Sequence, residues 1–576
     1  MVVGVGAARG PPRDVQRAPA PKSERGMDSV RIRTRTGLSV LALLLVVVVA
    51  ALAAVPAAAQ PGTAGKAGPA GLTVVAPGRL NLSPEAPEWV IPFVALVPGR
   101  AAGLTATVSA VEVDGQAVPF TVRAASVPVL ESAGRFTGPE IARYARIKAQ
   151  AERRLPATAA DEAFLRAVAP RVEEFARAAS PAILGFDPTS RVVIAAAALY
   201  PGRGGGERHT VRVTLRGRHA AGAIEETSFE TEVGICAYPA DGVWVPGDLH
   251  AHSTYSDGWD SIASLVDDWS YYGYEFLYMT DHCGSVTSQW ASYASSCRSA
   301  SHSDCVALPG TETKTAAGGH LLAYGVANTS GIPESTYSGQ QLIDNVNANN
   351  PSQPSSASIA HPNAMFMSWS EWSVLRQRGM EIMSGIQWYF DPNCGPMTRW
   401  RSECQRLAPY TFRYGYMPSP RTGSDWHNWL VSSIEFVTYA YVPSEWTSTM
   451  TYDQKKAAAD SALYNGRVVA SNWGSAALLR INGNAIGSVV DGVAGGTTLN
   501  FSVTVYAAYS DTYRVRVYRG NMAETVYDAS ASISAGGSRQ WTFTKTFPGG
   551  DQYYWVYVSD GDDVYTSPIY ISSNLY

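Results

Sequence analysis

Two histidines one residue apart, His250 and His252, close an apolar run in this 576-residue chain. On a β-strand, side chains two positions apart share a face, so both imidazoles would point the same way. Imidazoles that converge on one point can hold a divalent cation. Ser256-Asp257-Gly258 follows at once and adds a carboxylate beside a glycine that permits a tight turn. The pattern then recurs in Thr280-Asp281-His282, Pro309-Gly310-Thr311-Glu312, Gly319-His320, Ala360-His361-Pro362 and Gly423-Ser424-Asp425-Trp426-His427. Each puts an imidazole or a carboxylate at or just past a predicted strand end. Six of the nine histidines fall in this series, a preference that histidines scattered over a surface would not show.

The chemistry implied is the ligation of divalent ions. Mixed imidazole and carboxylate ligation suits Zn, Mn or Fe(II). Closely spaced cations lower the pKa of a shared water and clamp the phosphoryl or carbonyl oxygen that gathers charge in the transition state. Asp248 and Asp281 are read as carboxylates that orient imidazoles. Ser253 and Ser256 belong to no G-x-S-x-G elbow and are read as turn formers. His302, in a Ser-rich loop, and His209 and His219, on strand-like segments without acidic company, are read as structural or surface residues. Lys314, Arg376, Arg378 and Arg399 are candidates to hold a phosphate. Trp388, Tyr389, Phe390 and Trp400 are candidates for an apolar wall.

These groups need a scaffold that gathers strand ends. Over 244–480, short apolar strands at 245–250, 276–280, 306–308, 321–324 and 358–360 alternate with helix-compatible stretches. Such units predict an α/β barrel or layered sheet with function at the C-terminal strand ends. Residues 481–576 alternate Val, Tyr and Thr between turn residues, predicting an antiparallel β-sandwich. The stretch 72–240 is read as an accessory β-rich or α+β domain. It has strands at 91–97, 191–198 and 209–215 and helical spacing over 138–177. A Pro/Gly/Ala-rich linker covers 60–71.

Residues 1–59 read as an N-terminal extension and signal peptide, with Met27 an alternative start. Arg31, Arg33 and Arg35 precede an apolar run over 38–55, and Ala57-x-Ala59 offers cleavage after Ala59. The expectation is a secreted or periplasmic protein, the alternative being an N-terminal membrane anchor. Export would let the six cysteines pair. Cys297 with Cys305, Cys394 with Cys404, and Cys236 with Cys283 are the pairs expected, one of fifteen connectivities. The formal net charge of −4, without a basic block, gives no support for coating nucleic acid.

Taken in order, the motifs from His250 to His427 resemble the polymerase and histidinol phosphatase (PHP) superfamily of metallohydrolases. Within it the chain is similar to the carbaryl-hydrolase-like (CehA/McbA-like) branch, through Asn465-Gly466-Arg467 and Ser567-Pro568-Ile569-Tyr570 as well. The resemblance covers about 247–570. It implies a distorted (β/α)7 barrel with two or three divalent ions, Zn, Mn or Fe, at the C-terminal strand ends. One ion would take His250, His252, Glu312 and Asp425, and a second would share Glu312 and add His320 and His361. A third would take Asp257, His282 and His427. Asp257, His282 and Glu312 are the expected catalytic residues. The resemblance implies a phosphoesterase acting on a small phosphate monoester or nucleotide. Alternatives are a carbamate or carboxylic ester hydrolase, an enzyme that trims a nucleic-acid end from 5′ to 3′, and a non-catalytic exported binding protein. No stable membrane partner is expected, and the oligomeric state is left open.

Overall fold

The computed structural model describes residues 73–75, 79–82, 89–97, 105–125, 163–164, 191–199, 206–218, 224–236, 244–258, 260–351, 354–362, 369–384, 395–427, 436–442, 446–472, 474–559 and 562–575. The signal peptide, the linker, His219, Cys394, Trp388, Tyr389 and Phe390 lie outside them. So does the helix predicted over 138–177, apart from Ala163 and Phe164, which are helical.

Nine described strands precede the histidine-rich region. They are β1 (Thr73–Val75), β2 (Arg79–Leu82), β3 (Trp89–Val97), β4 (Thr105–Val113) and β5 (Gln116–Ala117), then β6 (Phe120–Ala125), β7 (Arg191–Leu199), β8 (Arg208–Arg218) and β9 (Ile224–Ile235). Two sheets result, ordered β1-β3-β7-β6 and β2-β9-β8-β4-β5. In β8, Val211, Val213 and Leu215 turn inward. On the opposite face Arg212 and Arg216 turn outward and pair with Glu230 and Glu226 directly across on β9. That is the period of two expected of a half-buried strand. Phe93 and Phe229, with ring centroids 5.4 Å apart, join the two sheets. His209 is buried, with Nδ1 2.8 Å from Asp114 and Nε2 3.2 Å from Glu207. Its acidic company is Asp114, brought across the strands, and Glu207, the neighbour two residues earlier that the sequence reading overlooked.

Three parallel strands open the next region: β10 (Trp244–Ala251), β11 (Phe276–Met279) and β12 (Val306–Pro309). Helices α1 (Ile262–Tyr271), α2 (Cys283–Val286) and α3 (Trp290–Ala300) lie between them in sequence. Ser261 caps α1 by accepting from the Ser264 N–H, and Ile262, Leu265, Val266 and Trp269 form its buried stripe. A second sheet follows in the order β13 (Thr311–Lys314), β14 (His320–Tyr324), β15 (Ser356–Ile359), β16 (Gly379–Ser384) and β17 (Ser419–Gly423). Helices α4 (Gly339–Ala348) and α5 (Gly395–Tyr414) connect its later strands. Strand β18 (Val437–Tyr441) returns antiparallel to β10, and α6 (Tyr452–Tyr464) leads into β19 (Val468–Ser471). The fold is therefore mixed α/β, and the strand-helix repeat is interrupted where β13 and β14 form an antiparallel hairpin.

The two sheets are tied together where their strands end. The His252 N–H donates to Trp426 O at 2.8 Å, and the Glu312 N–H donates to Thr280 O at 2.9 Å. The Tyr293 hydroxyl of α3 donates to Met279 O at 2.6 Å and Gly310 O at 3.2 Å, fixing the ends of β11 and β12. The chain then continues through β20 (Ala476–Ile481), β21 (Asn484–Ala485), β22 (Val489–Val490), β23 (Thr498–Tyr506) and β24 (Asp511–Arg519). Last come β25 (Glu524–Ile533), β26 (Ser538–Thr546), β27 (Asp551–Ser559), β28 (Val564–Thr566) and β29 (Ile569–Ser572). Four of these form the sheet β21-β20-β23-β26, facing the other layer through Tyr527 against Phe543 at 4.3 Å. The rest extend the β10 sheet, because β19 pairs with β28. One sheet thus runs from the histidine-rich region into the C-terminal strands.

The expected disulfides do not form among the described residues. Cys283, Cys297, Cys305 and Cys404 are all thiols, so none of the three expected pairs is made. All four are buried: Cys283 Sγ donates to Ile332 O at 3.0 Å, and Cys404 Sγ to Pro418 O. Short sequence spacing had suggested closed rings, but the helix α3 points Cys297 into the core. No helix among the described residues is long and apolar enough to cross a membrane.

Candidate metal centre

The nine side chains singled out by the sequence converge on one end of the two sheets. His250 lies in the last turn of pleat of β10, with His252 just beyond it, while Glu312 is in β13 and His361 is two residues past β15. Asp425 and His427 follow β17. His320 starts β14 rather than ending it, yet β14 runs antiparallel to β13, which brings its beginning to the same end as the others.

Glu312 lies at the middle of the cluster. Its Oε1 is 2.6 Å from His320 Nδ1 and 3.0 Å from His361 Nε2, and its Oε2 is 3.3 Å from His282 Nδ1 and 3.4 Å from His252 Nε2. Asp425 Oδ1 is 3.3 Å from His250 Nε2 and 3.5 Å from both His252 Nε2 and His427 Nδ1. Asp257 reaches His252, His282 and His427 at 3.4–3.5 Å. Three sets of donor atoms each fall within 4.8 Å of one another: His250, His252 and Asp425; His250, Glu312 and His361; and His252, Asp257, His282 and His427. Compared with the sets the resemblance implied, His250 and His252 are each shared between two groups. His320 belongs to none and touches Glu312 instead.

Most of the centre is buried. Asp257 and His282, with 25% and 13% of their side chains exposed, form its open side. Glu334 stands at the same side with Oε1 3.7 Å from His282 Nδ1. Two backbone positions are forced: Asp425 has φ 52° and His361 φ 21°, in or at the edge of the left-handed region. Such conformations cost about 1–3 kcal/mol each and collect at functional sites.

Burial disfavours charge throughout, and the partners decide each outcome. Burial pulls His250 down, but Asp425, Glu381 and Glu312 together raise it well above the usual imidazole value. Burial lowers His252 to about 3, with His427 and His282 adding to the effect. Glu312 and Asp425 fall well below the carboxylate range, because the surrounding imidazoles outweigh burial. The centre thus gathers ionised carboxylates whose charge only imidazolium, or a cation, can balance. Asp425 Oδ2 is buried without a hydrogen-bond donor, as is His361 Nδ1. An oxygen-and-nitrogen donor set of this kind fits divalent ions.

The two flanking aspartates differ from expectation. Asp248 holds no imidazole: it accepts from the backbone N–H groups of His250 and Ser424 and from the Trp269 indole. Asp281 likewise accepts from Ser253 N at 2.8 Å and from the Ser253 and Ser256 hydroxyls. Both fix loops. Ser253 and Ser256 are accordingly turn-holding groups. A further carboxylate that meets an imidazole is Glu381, with Oε1 2.9 Å from His250 Nδ1, which the sequence reading missed. A glutamate inside the apolar run Gly379-Met380-Glu381-Ile382-Met383 was the available signal.

Three proposed cations are engaged elsewhere. Arg378 is buried over the Tyr464 ring at 3.4 Å, Arg376 pairs with Asp344 at 3.3 Å, and Arg399 lies over the Trp372 ring. Lys314 sits on β13 opposite His320. Trp400 belongs to the core, its indole donating to Pro418 O at 2.8 Å. Asn465-Gly466-Arg467 ends α6, with Gly466 at φ 63°.

No protein-family model matches the chain, and no curated protein matches it. Solved structures show limited likeness. A two-domain protein from Bacteroides vulgatus containing a predicted PHP-like metal-dependent phosphoesterase is 14% identical, over 55% of this chain and 91% of its own, with TM-score 0.29. PsfC from Pseudomonas syringae is 12% identical, over 38% and 89%, with TM-score 0.28. A phosphoesterase-like protein from Bifidobacterium adolescentis is 16% identical, over 33% and 89%, with TM-score 0.23. At this level of likeness, function rests on the side chains themselves.

Proposed function

We propose that the chain is an exported metal-dependent hydrolase of the PHP superfamily, in its CehA/McbA-like branch, built around a distorted (β/α)7 barrel. Its preferred substrate is a small phosphate monoester or nucleotide. The observation that carries this reading is the convergence of His250, His252, Asp257, His282, Glu312, His361, Asp425 and His427 into three overlapping donor sets. Divalent ions held there would supply an acidified water and a clamp for developing charge on the scissile group.

The chain's own side chains divide the remaining work. The buried residues His250, Glu312, His361 and Asp425 fix the inner donors in a dry environment where electrostatic stabilisation is strong. Asp257 and His282, on the open side, are where substrate reaches the centre and where water is admitted. His320 orients Glu312, the carboxylate shared among the imidazoles.

Stripping metal with a chelator, restoring Mn²⁺ or Zn²⁺ and offering an aryl phosphate tests the reading. Turnover should return with the metal and vanish in the Asp257→Ala/His282→Ala double variant. Turnover no higher than that variant's would overturn phosphoesterase activity.

A second reading, hydrolysis of a carbamate or carboxylic ester, is favoured by one observation. Arg376, Arg378 and Arg399, the guanidinium groups best suited to a phosphate, are committed to other partners. Faster turnover of aryl carbamate or acetate than of aryl phosphate would select it.

A further inference from the structure

Glu381 is wholly buried on β16, and both of its oxygens serve the centre. Oε1 lies 2.9 Å from His250 Nδ1, and Oε2 accepts from the His361 backbone N–H at 2.7 Å. Space for this carboxylate depends on Gly423: a Cβ there would stand 2.3 Å from Glu381 Oε1 and 2.5 Å from His250 Cβ. The buried guanidinium-bearing Arg421 is the register partner of Glu381 on β17, so a positive charge lies on the neighbouring strand.

An ionised carboxylate only accepts hydrogen bonds. The proton of a neutral His250 ring therefore sits on Nδ1, leaving a lone pair on Nε2. That Nε2 faces His252 Nε2 at 3.1 Å, Asp425 Oδ1 at 3.3 Å and Glu312 Oε1 at 3.6 Å. His250 belongs to two of the three donor sets.

We propose that Glu381 is a positioning residue that locks His250 in the Nδ1–H tautomer, so that its one free lone pair, on Nε2, is offered to a cation in either of the two sets that contain His250. The inference rests on the metal reading given under Proposed function. It makes a specific demand on the amide variant Glu381→Gln. The His361 backbone N–H is an obligatory donor, so the amide oxygen must face it. The amide NH₂ then faces His250 Nδ1, which has to accept. The ring proton moves to Nε2, and the lone pair that a cation needs is gone. The set formed by His252, Asp257, His282 and His427 does not include His250 and keeps its donors.

Equilibrium dialysis against Zn²⁺ with elemental analysis reads this directly. E381Q should keep the ion of the outer set and bind the Zn²⁺ that His250 ligates at least about tenfold more weakly than the wild-type chain. Equal stoichiometry and affinity in E381Q overturns the role of Glu381. A wild-type chain that binds no Zn²⁺ overturns the metal reading itself, which keeps the two failures apart. Should E381Q not fold, ¹⁵N-histidine NMR of the zinc-loaded wild type decides. A proton on His250 Nδ1 supports the proposal, and a proton on Nε2 overturns it.

Discussion

The Nε2 atoms of His250 and His252 stand 3.1 Å apart, closer than two ring nitrogens approach without a shared proton or cation between them. Each ring also serves a second donor set, His250 with Glu312 and His361, and His252 with Asp257, His282 and His427. The two strand-end histidines are thus the hinge between the inner and outer parts of the centre.

This sharing predicts unequal losses. His250→Ala should remove donors from two sets, whereas His427→Ala should affect one. Elemental analysis of the purified variants checks it: H250A should retain fewer ions per chain than H427A. Equal losses would contradict the shared role of His250.

Asp248 supplies a second prediction, this one about stability. Its Oδ1 accepts from two backbone N–H groups and its Oδ2 from the Trp269 indole at 2.9 Å, while burial pushes its carboxyl up to about 6. Asp248→Asn turns the amide NH₂ toward the indole, so two donors meet. The expected cost is about 1–3 kcal/mol, read by urea denaturation. The penalty of D248N should shrink in a Trp269→Phe background, where the clashing donor is gone.

Gly423 offers a steric test. Its neighbours leave no room for a methyl group, and the nearest atoms belong to Glu381 and His250. Gly423→Ala should destabilise by about 1–3 kcal/mol and weaken metal binding with it. A variant of unchanged thermal midpoint and metal content would show that the approach of β17 to β10 is looser than described.

The pH dependence has a definite sign. In the metal-free chain His250 and His361 have raised folded-state values, His361 through Glu312 and Asp425 against the effect of burial. A raised imidazole contributes stability that is fully present below about 6.5 and is lost as pH rises through the folded-state value. Glu312 and Asp425 are depressed, so their contribution is present above the ordinary carboxylate range and lost only in strong acid. The metal-free chain should therefore lose thermal stability as pH rises above 6.5. Metal binding, which must displace imidazolium protons, should strengthen over the same interval. Thermal melts with and without Zn²⁺ across this range check both signs.

Much of the centre could be read in the chain because its signals are local. A strand end, a histidine and a nearby carboxylate recur from His250 to His427, and the strands at 245–250 and 306–308 fall within β10 and β12, while that at 276–280 overruns β11 by one residue. What escaped was set by partners distant in sequence. Glu381 meets His250 across 131 positions, and the Asp248 partner Ser424 lies 176 away. Cysteine spacing failed for a related reason: separation along the chain carries no information about the direction in which Cys297, on a helix, and Cys305, before a strand, present their sulfurs. The continuity of β19 with β28 was equally hidden, since pairing over such a separation leaves no local mark.

The most direct test is the metal content of the purified chain. Elemental analysis after gel filtration, with no chelator in the buffers, should find two or three divalent ions per chain, falling in a His252→Ala/Asp425→Ala double variant that remains folded. A folded wild-type chain that carries none, and takes up none from micromolar Zn²⁺ or Mn²⁺, would contradict the reading of the centre.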